Sequence, residues 1–149
     1  MSAPYDRRDN AVPNESPKTL LTSSTKVDYV DEKGQIRPAL LDADAQAAAK
    51  DLKDIATTQI RRFFSQVSAI RRRIEIDTRG IVTDAEVLAQ VAFLKASAAY
   101  AAGRNNANSP ILKFLVTHCN SIKDREDFIK FHRHFEAVVA FHRVHGANS

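Results

Sequence analysis

The chain has 149 residues, about the length of one domain, and its 22 basic and 18 acidic side chains give a formal charge of +4. This basic balance suits polyanionic partners, and the single cysteine, Cys119, excludes a disulfide framework and thiolate-rich zinc sites. No apolar run approaches the roughly 18 residues that span a bilayer, and residues 1–30 lack the apolar core of a secretory signal. We therefore expect a cytoplasmic protein without a membrane partner.

Residues 1–41 differ in composition from the remainder of the chain. They contain four of the five prolines, only scattered apolar residues and equal numbers of acidic and basic side chains. Such a segment buries too little apolar surface to offset the entropy lost on ordering. The sequence predicts a disordered tail over 1–41 and a helical domain over 42–149, with the alternative that the tail orders on a partner.

After Asp42, glycines and the one proline occur only between or after long helix-forming runs, which predicts an all-α fold. A first helix is predicted from about 43 to 55, and Thr57 and Thr58 favour a break and a new helix start. A second helix is predicted from about 59 to 74. Its apolar residues lie on one face at helical spacing, so that face must be buried.

Three further helices have recognisable ends. Thr83 and Glu86 form a capping box for a helix that runs to about residue 102, with Gly103 following its end. A short helix begins after Ser109 and ends near residue 122. The last helix begins after Asp124 and ends near residue 145. The sequence therefore predicts a compact bundle of about five helices with a disordered N-terminal tail.

Two of these helices carry apolar residues on two faces. One face of helix 84–102 consists of Val87, Leu88, Val91, Leu94 and Ala98, and the other of Ala89, Phe93, Ala96 and Tyr100. The last helix has a second face of Ala137, Ala140, Phe141 and Val144. Because one core needs one face, the second faces predict contact with another protein. The alternative is a five-helix core that leaves some apolar residues exposed.

Six arginines but only two acidic residues lie between residues 59 and 81. Arg61 and Arg72 are eleven residues apart, so they stack on one side of a helix roughly 16 Å apart. Arg62 and Arg73 stack in the same way on an adjacent side. Guanidinium groups at this separation suit successive phosphates of a nucleic-acid strand, and the alternative is a solvated charged face.

The histidines do not indicate a metal site. On a helix, His132 and His134 point about 200° apart, and only His142 and His145 have a spacing that one metal ion can share. We therefore expect no metal and no cofactor.

No nucleophile is evident either. His118 and Cys119 diverge by about 100° as neighbours on a helix, which favours a packing role for the cysteine. Lys95 falls within the first apolar face of its helix, where it needs an ion pair, for which Glu136 is a candidate, or an exit to water. The sequence predicts that the protein is not an enzyme.

Three segments of the chain resemble the small subunit of the type III-A CRISPR-Cas effector, the Csm complex. They are TQIRRFF at 58–64, LK at 94–95 leading to YAAGR at 100–104, and DF at 127–128 leading to FEAVVAFH at 135–142. Their order and spacing match over about residues 45–146, which excludes the predicted tail.

The resemblance implies a non-catalytic helical subunit, present in several copies along a filament of crRNA-binding backbone subunits. The implied partners are crRNA, target RNA, the backbone and large subunits, and other copies of the same chain. Contact with the RNA backbone is implied for Arg61, Arg62, Lys95 and Arg104, and helix geometry adds Arg72 and Arg73. The alternative is a free-standing helical nucleic-acid-binding or adaptor protein.

Overall fold

The computed structural model describes residues 16–146, and within this range it contains helices and no β-strand. The predicted all-α fold is therefore confirmed. The α-helices are α1 (Pro17–Leu21), α2 (Ala43–Asp51), α3 (Thr57–Glu75), α4 (Asp84–Arg104), α5 (Ser109–Cys119) and α6 (Arg125–His145). Short 3₁₀ turns at Pro38–Leu41 and Asn106–Asn108 precede α2 and α5. No helix in the described range is long and apolar enough to cross a membrane.

The last helix, α6, lies at the centre of the bundle between α2 and α3. Its apolar stripe of Phe128, Phe131, Phe135 and Val138 is at most 1% exposed, as its helical spacing predicts. Phe64 of α3 meets Phe135 edge to face, with the ring centroids 5.4 Å apart. The short helix α5 is buried on most sides because α1 and α4 both pack against it.

Several helix ends differ from the prediction: α3 begins at Thr57 and not near residue 59, and α5 begins at Ser109 itself and ends at Cys119, not near residue 122. The first predicted helix stops at Asp51, because the following turn directs Leu52 and Ile55 into the core. Helix α4 runs through Gly103 to Arg104, and Gly103 does not take the positive φ of a helix-ending glycine. Asn105 ends the helix instead: its backbone is extended and its side chain accepts a hydrogen bond from the N–H of Ala107.

The predicted start of the last helix is confirmed. The Asp124 side chain accepts a hydrogen bond from the N–H of Asp127 at 2.9 Å, so it is the N-cap of α6. In the same way, the Thr83 side chain accepts from the N–H of Glu86 at 3.1 Å and caps α4.

For residues 16–41, the structure contradicts the predicted disordered tail. Residues 16–41 fold against the bundle, and Leu20, Tyr29 and Leu40 are at most 3% exposed. The amide of Asn120 donates to the carbonyl of Ser23 at 2.7 Å and ties the segment to the end of α5. These apolar anchors are about ten residues apart and follow no helical or strand period, so pattern analysis does not detect them. Residues 1–15 of the predicted tail lie outside the described range.

Three buried histidines hold residues 29–52 against the helices. The Tyr29 hydroxyl lies 2.8 Å from Nδ1 of His118, His134 Nδ1 donates to the carbonyl of Leu40 at 2.6 Å, and His142 Nε2 donates to the carbonyl of Leu52 at 3.0 Å. Each ring satisfies a polar group that would otherwise be costly to bury. These histidines therefore have a structural role that their spacing along the sequence did not reveal.

Candidate nucleic-acid interface

An open groove of about 920 Å³ lies between the antiparallel helices α3 and α4. Its described lining contains two arginines, Arg62 and Arg104, and no acidic residue. The remaining lining residues are small, amide-bearing or aromatic: Ala56, Thr58, Gln59, Phe63, Gln66, Phe93, Ala96, Ser97, Tyr100, Ala101, Asn105 and Asn108. The groove therefore combines positive charge, hydrogen-bonding amides and aromatic surface.

The groove follows from the way α3 and α4 bury their apolar faces. Val87, Val91 and Leu94 of α4 are buried in the core, and at 100° per residue this leaves Phe93 and Tyr100 on the opposite side. Both rings are largely exposed, at 66% and 68%. The predicted second apolar face of this helix is thus present at the surface, where it forms one wall of the groove.

The two ends of the α3–α4 pair differ in electrostatics, and Arg73 and Glu86 lie beyond the lining of the groove. Near the loop that connects α3 to α4, Arg73 forms an ion pair with Glu86, which joins the two helices and offsets the arginine's charge. At the other end lie Arg62 and Arg104, and neither forms an ion pair with any residue of the described range. The uncompensated positive charge of the groove is therefore concentrated at this end.

Arg61 and Arg72 lie outside the groove. Both are exposed on the outer side of α3, about 100° around the helix from Arg62 and Arg73, and neither is paired with an acidic group in residues 16–146. Their neighbour Arg71 forms an ion pair with Glu75 at 3.2 Å and is half-buried against α6. Of the two predicted arginine pairs, Arg61 and Arg72 both carry charge that no described acidic group offsets. In the other pair, Arg62 is also without an acidic partner, but Arg73 is paired with Glu86.

Lys95 is separated from the other candidate residues. It lies two positions from Phe93, about 200° around α4, and so faces away from the groove. Its charge acts on the thiol of Cys119, on the side of α4 that packs against α5. The suggested ion pair with Glu136 is wrong, because among the described residues Lys95 has no acidic partner.

The groups that most often perform catalysis are engaged in packing. Burial raises the pKa of the Cys119 thiol to about 12, and its Sγ donates to the carbonyl of Val91 at 3.4 Å. Burial lowers the pKa of His118 well below its usual value. In residues 16–146 no three His, Cys, Asp or Glu side chains converge on a point that could hold a metal ion.

The sequence-based interpretation did not predict that the arginines and the exposed aromatic residues lie in one groove. It placed the arginine cluster and the second apolar face on separate helices, and nothing in either pattern predicts that Arg62 and Arg104 line the same groove as Phe93 and Tyr100. The available signal was the seven-residue spacing of Phe93 and Tyr100, which places both rings on one side of a helix.

The fold and the groove define a class of protein: a small all-α bundle that presents a cationic, aromatic-lined groove on its surface. The family model described as Csm2 Type III-A matches residues 35–148. The chain therefore belongs to the Csm2 family and is a small subunit of the type III-A Csm complex, which confirms the resemblance seen in the sequence. No curated protein and no solved structure matches the chain.

Proposed function

We propose that the chain is a non-catalytic subunit that packs in several copies along the crRNA filament and contacts the backbone of crRNA and target RNA in antiviral defence. Its protein partners are then the backbone and large subunits of the complex and other copies of itself. Because its RNA partners are cytoplasmic, the proposal also assigns the protein to the cytoplasm.

The observation that carries the RNA contact is the charge of the groove between α3 and α4. Arg62 and Arg104 are exposed there, without an acidic residue in the described lining. A planar guanidinium donates two parallel hydrogen bonds to phosphate oxygens, and each phosphate that it neutralises releases condensed counterions. Arg61 and Arg72 on the outer side of α3 extend the cationic surface beyond the groove.

Contact with the RNA backbone suits a guided complex. Base pairing between guide and target supplies the sequence specificity, so a subunit beside the duplex needs only to recognise phosphates and shape. Few contacts per copy bind weakly, but several copies aligned on one filament bind the same RNA with a high effective concentration. A small bundle with a few unpaired arginines fits this arrangement.

The double variant Arg62→Gln with Arg104→Gln tests the proposal. We expect weaker binding of single-stranded RNA by the assembled complex, because up to two phosphate contacts are lost for each copy of the chain. The slope of log affinity against log salt concentration is expected to become shallower by about 0.7 for each lost contact. Affinity is measured by fluorescence anisotropy at several salt concentrations.

A matched control removes the same charge elsewhere. Arg133 and Arg143 are exposed on α6, away from the groove, so Arg133→Gln with Arg143→Gln should leave the salt slope unchanged. Equal slopes for both double variants and the unmodified complex would contradict the assignment of RNA contact to the groove.

A further inference from the structure

Two aromatic rings in the groove are exposed to a degree that packing of the bundle does not require. Phe93 and Tyr100 are 66% and 68% exposed, although each has a large apolar surface. They are seven residues apart on α4, which places them about 10.5 Å apart along the helix axis. Contacts between arginine and phosphate do not by themselves account for two exposed rings in the same groove.

The surroundings of the rings favour a nucleotide as the occupant. The guanidinium carbon of Arg104 lies 5.7 Å from the centroid of the Tyr100 ring, so the cation and the ring form one unit. Arg62 lines the facing wall, and Gln59, Gln66 and Asn108 add hydrogen-bonding amides. Ring faces next to guanidinium groups are the combination that binds single-stranded nucleic acid, because bases stack and phosphates pair with the cations.

A protein occupant fits the charges less well. An apolar face of another chain would bury Arg62 and Arg104 without an acidic group in the described lining to pair with them, and an unpaired buried cation is strongly destabilising. An RNA strand brings its own negative charge to both arginines. Charge complementarity therefore selects RNA over a second copy of this chain.

We propose that Phe93 and Tyr100 form a stacking platform for unpaired bases of RNA, whose phosphates contact Arg62 and Arg104. This inference rests on the proposed function and deepens it, since it adds contact with base faces to contact with the backbone. Stacking tolerates every base, so the platform holds unpaired nucleotides without reading their sequence. A volume of about 920 Å³ lies in the range of sites that enclose small ligands, which is room for a nucleotide.

Photochemical crosslinking tests the platform directly. The assembled complex is loaded with target RNAs that carry 5-iodouridine at one position each, irradiated and digested, and the crosslinked peptides are identified by mass spectrometry. We expect adducts on Phe93 or Tyr100 for some positions of the label. Adducts on other residues of this chain, and never on these rings, would overturn the platform but leave the proposed RNA contact standing. If this chain forms no adduct at any label position, the platform fails, and the salt slope of the Arg62→Gln with Arg104→Gln variant then tests the proposed backbone contact by itself.

Binding measurements with matched variants provide a second test. Phe93→Leu with Tyr100→Leu keeps the apolar surface but removes both rings, and we expect its affinity for single-stranded RNA to fall at least about tenfold. Phe93→Tyr with Tyr100→Phe exchanges the rings and is expected to bind as the unmodified complex does. RNA with abasic nucleotides should bind the leucine variant and the unmodified complex equally, because only the backbone remains.

The same variants distinguish a protein interface from an RNA platform. If the leucine variant binds base-containing RNA normally but no longer assembles with other copies or subunits, the rings cover a protein contact and the inference is wrong. The salt slope adds a further criterion, since loss of stacking leaves it unchanged whereas loss of Arg62 and Arg104 makes it shallower.

Discussion

At the residue scale, the buried histidines determine how the N-terminal part of the chain attaches to the bundle. His118 lies in an aromatic cluster, 4.7 Å from the ring centroid of Phe114 and 4.9 Å from that of Phe131. Burial lowers its pKa well below the usual value, and the neighbouring His134 lowers it further. Burial also lowers the pKa of His134. Both rings are therefore neutral in the folded protein at physiological pH.

These lowered pKa values predict that stability decreases in mild acid. In the unfolded chain a histidine has a pKa of about 6.5, so below this pH the unfolded state binds a proton that folded His118 does not. The free energy of unfolding therefore falls with decreasing pH, by up to about 1.4 kcal/mol per pH unit for each such histidine, and is independent of these groups above pH 7. Urea unfolding at pH 8, 7, 6 and 5 measures the effect.

The variant His118→Gln isolates one contribution. It cannot titrate, so its stability should be lower at pH 8 but should depend less steeply on pH between 6.5 and 5. An identical pH dependence in the variant and the unmodified protein would show that His118 is not the group responsible.

At the element scale, short segments without periodicity also contribute buried residues to the core. Helix α1 has only five residues, and the Ser16 side chain caps it by accepting from the N–H of Thr19. Its Leu20 is 3% exposed whereas the adjacent Leu21 is 40% exposed. An isolated helix of this length is not stable, so its packing on α5 holds it in place.

The two adjacent leucines provide a matched test of this packing. We expect Leu20→Ala to lower the free energy of unfolding by about 2 to 5 kcal/mol, because it removes a buried side chain and leaves a cavity. Leu21→Ala should cost less than about 1 kcal/mol. Thermal and urea unfolding measure both. Equal, small effects would mean that residues 16–41 do not pack as described and that the predicted tail of 41 residues is correct.

At the scale of the whole molecule, the described part of the bundle leaves apolar residues exposed at several places, which include Ile76 and Ile81 in the α3–α4 connection and two helix surfaces. One is the groove wall of α4, and the other is the end of α6, where Val144 is 75% exposed beside the exposed Ala140. Arg62 and Arg104 line the first surface, and the exposed Arg143 lies next to Val144 at the second. Two arginines and two exposed aromatic rings lie together only at the first surface, so we expect RNA contact there and protein contact at the second.

The surface of α6 is expected to take part in assembly. Val144→Asp places a charge in an apolar contact and should reduce recovery of the subunit in the purified Csm complex severalfold, as measured by co-purification. Ala47→Asp, at an exposed position of α2, adds the same charge elsewhere and should assemble normally. Recovery of both variants at the unmodified level would show that this end of α6 faces solvent in the complex.

The sequence alone determined the fold class, most helix starts and the family. Helical spacing of apolar residues is a local property, and so are the side-chain caps at Thr83 and Asp124, which is why these features were predictable. The arginines at residues 61, 62, 72, 73 and 104 were identified as candidates from charge and resemblance, and their contact with RNA stays a prediction.

Only the tertiary structure decided which of these features lie together. The meeting of Arg62 and Arg104 with Phe93 and Tyr100 depends on the antiparallel packing of α3 against α4, and the folding of residues 16–41 depends on Leu20, Tyr29 and Leu40 entering a core formed elsewhere. The packing of the helices also brings Arg73 to Glu86. It places Lys95 near Cys119, away from the other candidate residues. Contacts between residues distant in sequence have no local pattern, because the energy that forms them comes from burial against other elements.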